Sequence, residues 1–487
     1  MIFQPDFESF KKLAAKGNLV PVWVSRLADL ETPVSAFAKL TRGFKEPHSF
    51  LFESVEGGER IARYSYLGYG PQSVIKSSDK GKDPLAALEA ALKGIVPSVA
   101  EGLPPFWGGA VGYLAYDCVR HFEAIGEKNK DSLGFPESLH YLTDLVVAFD
   151  HAEHKMKIIA TARLKSKSPT ALKKAYLAAT ARIKSAVKRL DLAVPQAWTR
   201  AQKAGKKRDW VSNVERAPYM LSVNKALEYI KAGDIFQIQV GRRLSKDTAA
   251  HGFAIYRQLR ALNPSPYMFY FQHGDQKLIG ASPEVHIKVE SSKVTIRPIA
   301  GTRRRGRDLA DDQAMERDLK EDPKERAEHI MLVDLARNDI GRVASSGSVK
   351  VSELMVIERY SHVMHLVSDV SGTLDPSHTV FDALRASFPA GTVTGAPKIR
   401  AMQIIEELEG VRRGPYGGAL GFVSYAGDMN DALVIRTLYM DGQRVAAQAS
   451  AGIVADSQPE LEWKETENKL RSVVRAVELA EEELKKT

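Results

Sequence analysis

The chain has 487 residues, 44% of them hydrophobic and 26% charged, with a net charge of +9 and one cysteine. That composition fits a globular protein with core for two or three domain-sized units. It excludes an internal disulfide and any multi-cysteine zinc site. No apolar run reaches the ~18–20 residues of a membrane helix. The opening "MIFQPDFESFKK" lacks the basic and apolar segments of a secretory signal, so a cytoplasmic location is expected.

Residues 1–190 are expected to form an N-terminal region mixing helices and strands. In "ETPVSAFAKL", Thr32 suits a helix N-cap and Pro33 the first helical position. "DLVVAFD" and "KMKIIATA" read as paired strands. Residues 163–208 hold 14 Lys and Arg against the single acidic Asp191, so the basic excess belongs to one segment. Within it Leu172, Tyr176, Ala179, Ile183, Val187 and Leu190 recur at helical spacing, which predicts a docked amphipathic helix with a basic outer face. A basic linker is expected over 191–209. A nucleic-acid-binding protein would need its affinity in this segment alone and is the weaker reading.

Residues 210–487 form the third region. "PEVHIKVESSKVTIRP" alternates through Val285, Ile287 and Val289, turns, and resumes at Val294 and Ile296, a hairpin pattern. "ALVIRTLYM" joins "QRVAAQASAGIV" through Asp441-Gly442, a pair suited to a tight turn. Helices are expected near 312–336, 398–409 and 465–486. Strands and helices do not alternate regularly, so the fold class is α+β, with large antiparallel sheets and helices on their outer faces. "GGAVGYLAY" (108–116) and "GGALGFVSY" (417–425) echo each other over nine positions. Equivalent strands in two related sheet halves would explain this, as would chance.

Several motifs fail on inspection. "AGTVTGAPK" (390–398) is not a phosphate loop, because GxxxxGK[ST] is absent. Cys118 in "YDCVRH" has no glycine elbow around it, which argues against a thiolate nucleophile. Zinc-protease patterns are missing, and no nucleotide cofactor is expected. "RPIAGTRRRG" (297–306) suits an anion. Arg436 reads as lying on an apolar strand face between Val434 and Leu438, where burial is expensive without an anion. Its partner would be an internal acid or a substrate carboxylate, for which the guanidinium fork is suited. Glu465 and Lys469 sit four apart on one helical face, and Glu328 opens a separate apolar helical run. Two glutamates and a lysine suit Mg²⁺ clamped to a carboxylate ligand.

"GDIFQIQVGRRL", "NPSPYMFYF", "GASPEVHIKV", "RPIAGTRRRG", "DPKERAEHIMLVDLARNDIGRV", "YSHVMHLVSDVSG", "FPAGTVTGAPKIRAM", "RGPYGGALGF" and "AGIVADSQPELEWKETENK" follow in order over about 215–475. Together they resemble the chorismate-utilising enzymes, and within them the anthranilate synthase component I group. "FLFESVEGGERIARYSYLG" and "FWGGAVGYLAYD" extend the match. The resemblance implies a lyase that converts chorismate and ammonia to anthranilate and pyruvate, the entry to tryptophan biosynthesis. It implies Mg²⁺ on Glu328 and Glu465, neutralising the ring carboxylate. Arg436, Tyr416 and the backbone amides of a turn formed by Ser450, Ala451 and Gly452 would grip the enolpyruvyl carboxylate, with Lys469 assisting. Gly301 and Thr302 of an opening loop would line the substrate, while Arg303–Arg305 stay partly solvated or pair with acids around Asp308–Asp312.

The C4 hydroxyl is a poor leaving group, and Glu284 resembles the family's general acid. His365 and Thr392 match positions linked to the pyruvate elimination; a buried structural histidine is the other reading of His365. Gln237 stands where water-adding isochorismate and salicylate synthases carry a lysine base. Ala300 stands where aminodeoxychorismate synthases carry a lysine nucleophile. Both therefore favour amination at C2 over those alternatives. The resemblance also implies a separate glutamine amidotransferase subunit, component II, in a heterotetramer of two of each. Feedback inhibition by tryptophan is expected at Ser54, Pro266, Tyr267 and Met268; the other reading is that these residues merely pack the two regions together. Ser450 and Asn430 depart from the family's glycine and acidic residue.

Overall fold

Residues 1–55, 63–77, 83–127, 129–199, 209–360 and 363–486 are described in a computed structural model of the chain. Local signals act largely as the sequence predicts. Thr32 and Ser35 exchange hydrogen bonds in a capping box, and Pro33 opens the Pro33–Leu40 helix. The Pro169–Leu190 helix buries Leu172, Ala179, Ile183, Val187 and Leu190 and leaves most of its basic residues outside. The helix expected over 312–336 is two helices, Leu309–Glu321 and Pro323–Gly341. Asp322 ends the first and caps the second through the N–H groups of Lys324 and Glu325, and Pro323 cannot continue a helix from before it.

Eight strands precede the linker: β1 (Leu19–Leu27), β2 (His48–Glu53), β3 (Tyr64–Tyr69), β4 (Ser73–Lys76), β5 (Gly109–Leu114), β6 (Ser138–Thr143), β7 (Leu145–Asp150) and β8 (Lys155–Arg163). After it come β9 (Val211–Ser212), β10 (Gln237–Asp247), β11 (Tyr267–His273), β12 (Gln276–Ser282), β13 (Val285–Glu290), β14 (Lys293–Ile296) and β15 (Ile299–Arg304). β16 (Lys350–Arg359), β17 (Val363–Thr373), β18 (Gly395–Ala396), β19 (Ala419–Ser424), β20 (Met429–Leu433), β21 (Thr437–Asp441) and β22 (Arg444–Ile453) complete the set. They build two antiparallel sheets. One runs β1-β8-β7-β3-β2-β11-β12-β21-β22-β10-β18, with β9 on β10; the other runs β15-β17-β14-β13-β20-β19-β5-β6-β4, with β16 on β17.

The order holds an internal repeat. Outward from the β2–β11 seam, the strands are β2, β3, β7, β8, β1 on one side and β11, β12, β21, β22, β10 on the other. Outward from the β5–β19 seam they are β5, β6, β4 and β19, β20, β13. The first eight strands thus recur in chain order as β10–β13 and β19–β22, with β14–β18 inserted. The echoed nonapeptides fall on β5 and β19, which pair directly with Gly112 opposite Gly421. A Cβ at either glycine would come within 2.0 Å of a neighbouring backbone oxygen, so side chains are excluded where the sheet crowds in.

Each sheet contains strands from both sides of 191–209, so this sequence boundary does not separate two sheets. The start of the linker is docked, with Trp198 buried against Phe44 and Phe253, while 200–208 lies outside the described residues. An aromatic core fills the space between the sheets, where Tyr141 of one stacks on Phe271 of the other at 4.6 Å. Further apolar cores lie between the sheets and the outer helices.

Candidate active site

The expected continuous strand "ALVIRTLY" is broken. β20 ends at Leu433 in one sheet and β21 begins at Thr437 in the other, so 434–436 carries the chain between them. Arg436 has φ 52°, a conformation that costs a non-glycine residue about 1–3 kcal/mol. It therefore occupies a crossover rather than an apolar strand face. Its Nη1 donates to the Lys469 carbonyl at 2.9 Å. Among the described residues it forms no ion pair, and burial holds its pKa below the usual arginine value, with Tyr416 and Glu465 opposing that shift. The cation lacks the internal acidic partner that one of the two sequence readings required.

Ser450, Ala451 and Gly452 form part of β22 rather than a turn. Gln239 sends its N–H to Thr394 and receives Arg413 on its carbonyl, and Gly241 sends its N–H to Glu409. Both face away from β22, so their opposite residues Gly452 and Ser450 turn their own backbone groups away from β10. Ala451, opposite Val240, instead spends its N–H in the ladder. Two of the three expected amides thus point away from the β10 ladder. Lys469 Nζ reaches the Ser450 carbonyl at 2.9 Å and pairs with Glu465 at 2.5 Å. Tyr416 Oη lies 2.7 Å from Ser450 Oγ.

The two glutamates expected to hold the metal lie near each other, with Glu325 one turn from Glu328 and Glu462 one turn from Glu465. Glu328 accepts from Gln237 Nε2 at 2.7 Å. Its pKa is raised by burial first and then by Glu325 and Glu465, against the pull of Gln237 and Lys469. Glu462, buried one helical turn from Glu465, is likewise pushed up by burial and by that neighbour. Sequence reasoning missed Glu325 and Glu462, although "ERAE" and "EWKE" both carry Glu-x-x-Glu and so place two carboxylates on one helical face. Among the described residues no three acidic side chains already converge as a metal site, so Glu328 and Glu465 with the ligand's carboxylate would have to complete the coordination of a hard cation.

Glu284, just before β13, is buried, and burial pushes its pKa up to about 8 despite the opposing influence of Thr392 and Lys469. It therefore holds its proton at neutral pH. Among the described residues the Thr392 hydroxyl has no other hydrogen-bond partner, and its influence on Glu284 is that of a close neighbour rather than a well-formed bond. His365 Nδ1 lies 3.0 Å from the Gly301 carbonyl and 3.0 Å from Thr302 Oγ1. A carbonyl only accepts, so Nδ1 carries the proton and Nε2 the free lone pair. Burial lowers the pKa of His365, and Arg436 adds to that, so the ring is neutral. Arg436, Lys469, Glu328, Gln237, Glu284, Thr392 and His365 are thereby linked in one neighbourhood.

The segment expected as an opening loop is β15, bulged at Gly301 with φ 62° and paired with β17. Ala300 stands opposite Leu366 and Thr302 opposite His365. The arginine run is neutralised locally: Arg303 by Asp318, Asp322 and Glu325, Arg304 by Asp311, and Arg305 by Asp312. These arginines hold the Leu309–Glu321 helix rather than a ligand.

Ser54, Pro266, Tyr267 and Met268 all line a cavity of about 580 Å³ between the two sheets. Met268 pairs with Glu53 across the β2–β11 seam, so the same residues also join the two sequence regions. Burial lifts the Tyr267 phenol to about 12. Val285, Asn430 and Ala432 form the opposite wall.

Residues 47–475 match the family of chorismate binding enzymes. The chain belongs to that family. It is 44% identical over 491 residues to anthranilate synthase component 1 of Aquifex aeolicus, covering 98% of each chain. It is 45% identical over 465 residues to the Thermus thermophilus protein of the same name, covering 93% of this chain and 97% of that one. Among solved structures it resembles anthranilate synthase component I from Streptococcus pneumoniae, with 38% identity and a TM-score of 0.75 over 85% of this chain and 92% of that one. The menaquinone-specific isochorismate synthase of Escherichia coli shares the fold at 18% identity, with a TM-score of 0.72 over 96% and 99% of the two chains. The protein is thus a chorismate-utilising enzyme with two large antiparallel sheets. No helix among the described residues is long and apolar enough to cross a membrane.

Proposed function

We propose that this enzyme aminates chorismate at C2 and eliminates pyruvate to give anthranilate, as an Mg²⁺-dependent cytoplasmic subunit fed with ammonia by a separate glutamine amidotransferase. The observation that carries this reading is a buried cation with no ion-pair partner among the described residues, Arg436, which shares Lys469 as a neighbour with a buried carboxyl protonated at neutral pH, Glu284. Arg436 and the amides of Ser450 and Gly452 suit the enolpyruvyl carboxylate. Glu328 and Glu465 would hold Mg²⁺, which when bound supplies charge neutralisation for the ring carboxylate.

In the first step ammonia forms the bond to C2, the ring double bonds shift, and the C4–O bond breaks. Glu284 gives its proton to the departing hydroxide, which leaves as water. Gln237 presents an amide and Ala300 a methyl group, so the chain contributes neither a lysine base nor a lysine nucleophile at these positions. In the second step His365 Nε2 takes the C2 proton, the C3–O bond breaks, and enolpyruvate leaves as the ring becomes aromatic. Thr392, beside Glu284, helps to hold the acid.

The one cysteine supports the need for a partner subunit. Cys118 is buried, bonded to the Glu137 carbonyl, and its thiol pKa is pushed well up by burial. Such a thiol is a poor nucleophile for releasing ammonia from glutamine. The inter-sheet cavity suits tryptophan as inhibitor. Its far wall is β13 and β20, whose neighbouring residues Glu284 and Arg436 belong to the catalytic cleft. Purified enzyme incubated with chorismate, Mg²⁺ and ammonium above pH 8 should form fluorescent anthranilate. Formation of isochorismate or aminodeoxychorismate instead would refute the assignment.

A further inference from the structure

Gln239, Ser450 and Tyr416 form a buried polar chain that the chemistry above does not use. Ser450 Oγ donates to Gln239 Oε1 at 2.7 Å and lies 2.7 Å from Tyr416 Oη. All three residues are under 10% exposed. Two further hydrogen bonds connect Ser450 to Arg436 by way of Lys469: Ser450 O accepts Lys469 Nζ, and Lys469 O accepts Arg436 Nη1.

Proton counting shows that this arrangement has a direction. An amide oxygen only accepts, so the single Ser450 proton goes to Gln239. Tyr416 must then give its own proton to Ser450, which leaves the phenol with only lone pairs for the cleft. A carboxylate approaching Arg436 would meet an acceptor where it needs a donor. Reversing the chain removes the conflict. With the Gln239 amide rotated, Nε2 donates to Ser450, Ser450 donates to Tyr416, and Tyr416 donates outward. Two features permit the rotation. Gln239 Nε2 donates no hydrogen bond among the described residues, so nothing anchors the present orientation. Gly452 faces the amide with a bare Cα, where a Cβ would come within 2.9 Å of Nε2.

We propose that Gln239, Ser450 and Tyr416 are a reversible hydrogen-bond relay that turns the Tyr416 proton toward a carboxylate bound at Arg436. Ser450 and Gln239 are positioning residues, acting on the ligand only through Tyr416. The proposal rests on the reading of the cleft as a chorismate site, and it deepens that reading by assigning a role to the Ser450 side chain.

The test is a mutant cycle on chorismate, with KM and kcat from anthranilate formation and Kd from calorimetry. Ser450→Ala should raise KM and Kd about 3- to 10-fold, the loss of one well-made hydrogen bond, with a smaller change in kcat. Gln239→Glu, whose carboxylate can only accept and so holds the unreversed direction, should do the same, and the double variant should be no worse than the poorer single one. In a Tyr416→Phe background, Ser450→Ala should have no further effect. Unchanged affinity in Ser450→Ala, additive losses, or an undiminished loss in the Tyr416→Phe background each overturn the relay. Wild-type protein that binds chorismate but forms no anthranilate would defeat the assigned reaction while leaving the relay testable through Kd. Absence of chorismate binding would overturn both.

Discussion

Replacing Glu284 with glutamine should make the protein more stable and nearly inactive. In the unfolded chain the carboxyl titrates near 4.5, whereas burial in the fold raises it to about 8. The folded state therefore binds this proton more tightly, and its contribution to stability is full below 4.5 and declines as pH rises toward 8. At pH 7 the loss is about 3 kcal/mol, taking 1.36 kcal/mol for each of roughly 2.5 units. Glutamine keeps the shape and cannot ionise, so Glu284→Gln avoids that loss. For a chain of 487 residues the unfolding entropy is about 1 kcal/mol/K, so the variant should melt about 3 °C higher at pH 7. At pH 5.5 the gain should shrink to about 1 °C. Loss of the acid should lower kcat by about 10²- to 10⁴-fold. Paired calorimetric scans at the two pH values, with anthranilate assays alongside, test both parts. A variant that melts no higher than wild type at pH 7, or gains the same at both pH values, would show that Glu284 is not a protonated buried acid.

Arg436→Ala should raise KM for chorismate about 10- to 100-fold, the value of a charge-assisted hydrogen bond, without lowering the melting temperature, because no internal anion loses its partner. His365→Asn should slow pyruvate release far more than chorismate consumption, so that an aminated, non-aromatic intermediate accumulates and is seen by chromatography. Rates normalised to free ammonia should fall as pH rises through about 8, the sign expected when the protonated form of Glu284 is the active one. EDTA should abolish turnover and Mg²⁺ restore it, while Glu328→Gln should prevent restoration.

The echoed nonapeptides made the repeat visible because both copies are glycine-led central strands under the same packing constraint. The crossover at 434–436 was hidden because Val434 and Ile435 favour strands wherever they sit, and only long-range pairing decides which sheet each flank joins. The helix break at Asp322-Pro323 was legible in the sequence, since proline marks a helix start, yet the apolar periodicity on both sides suggested one helix. Local sequence also cannot reveal that β2 pairs with β11, so the regions before and after the linker read as separate although they share both sheets. At the site, the partnership of Glu328 with Glu465 was accessible only through resemblance, since one lies in the inserted segment and the other in the C-terminal helix. The raised pKa of Glu284 depends on burial that no neighbouring residue encodes.

The repeat also explains why the second half carries a buried cation with no ion-pair partner among the described residues, while the first half does not. In the first half Asp144 stands at the β6–β7 junction, where the second half has Arg436 between β20 and β21. Arg182, from the helix after β8, donates to Asp144 and to the Thr161 carbonyl of β8. Lys469, from the helix after β22, donates to the Ser450 carbonyl of β22. Both halves thus send a basic side chain from the following helix to the same strand. In the first half the cluster completes itself, since cation and carboxylate both belong to the chain. In the second, the junction residue is itself a cation, and Lys469 is already paired with Glu465, so Arg436 is left without an anion among the described residues. Desolvating a guanidinium without a partner is costly, and a carboxylate from solution is the natural means of offsetting that cost. On the proposed function, ligand binding would therefore fall to the half in which Arg436 stands where the first half has Asp144 at the sheet crossover.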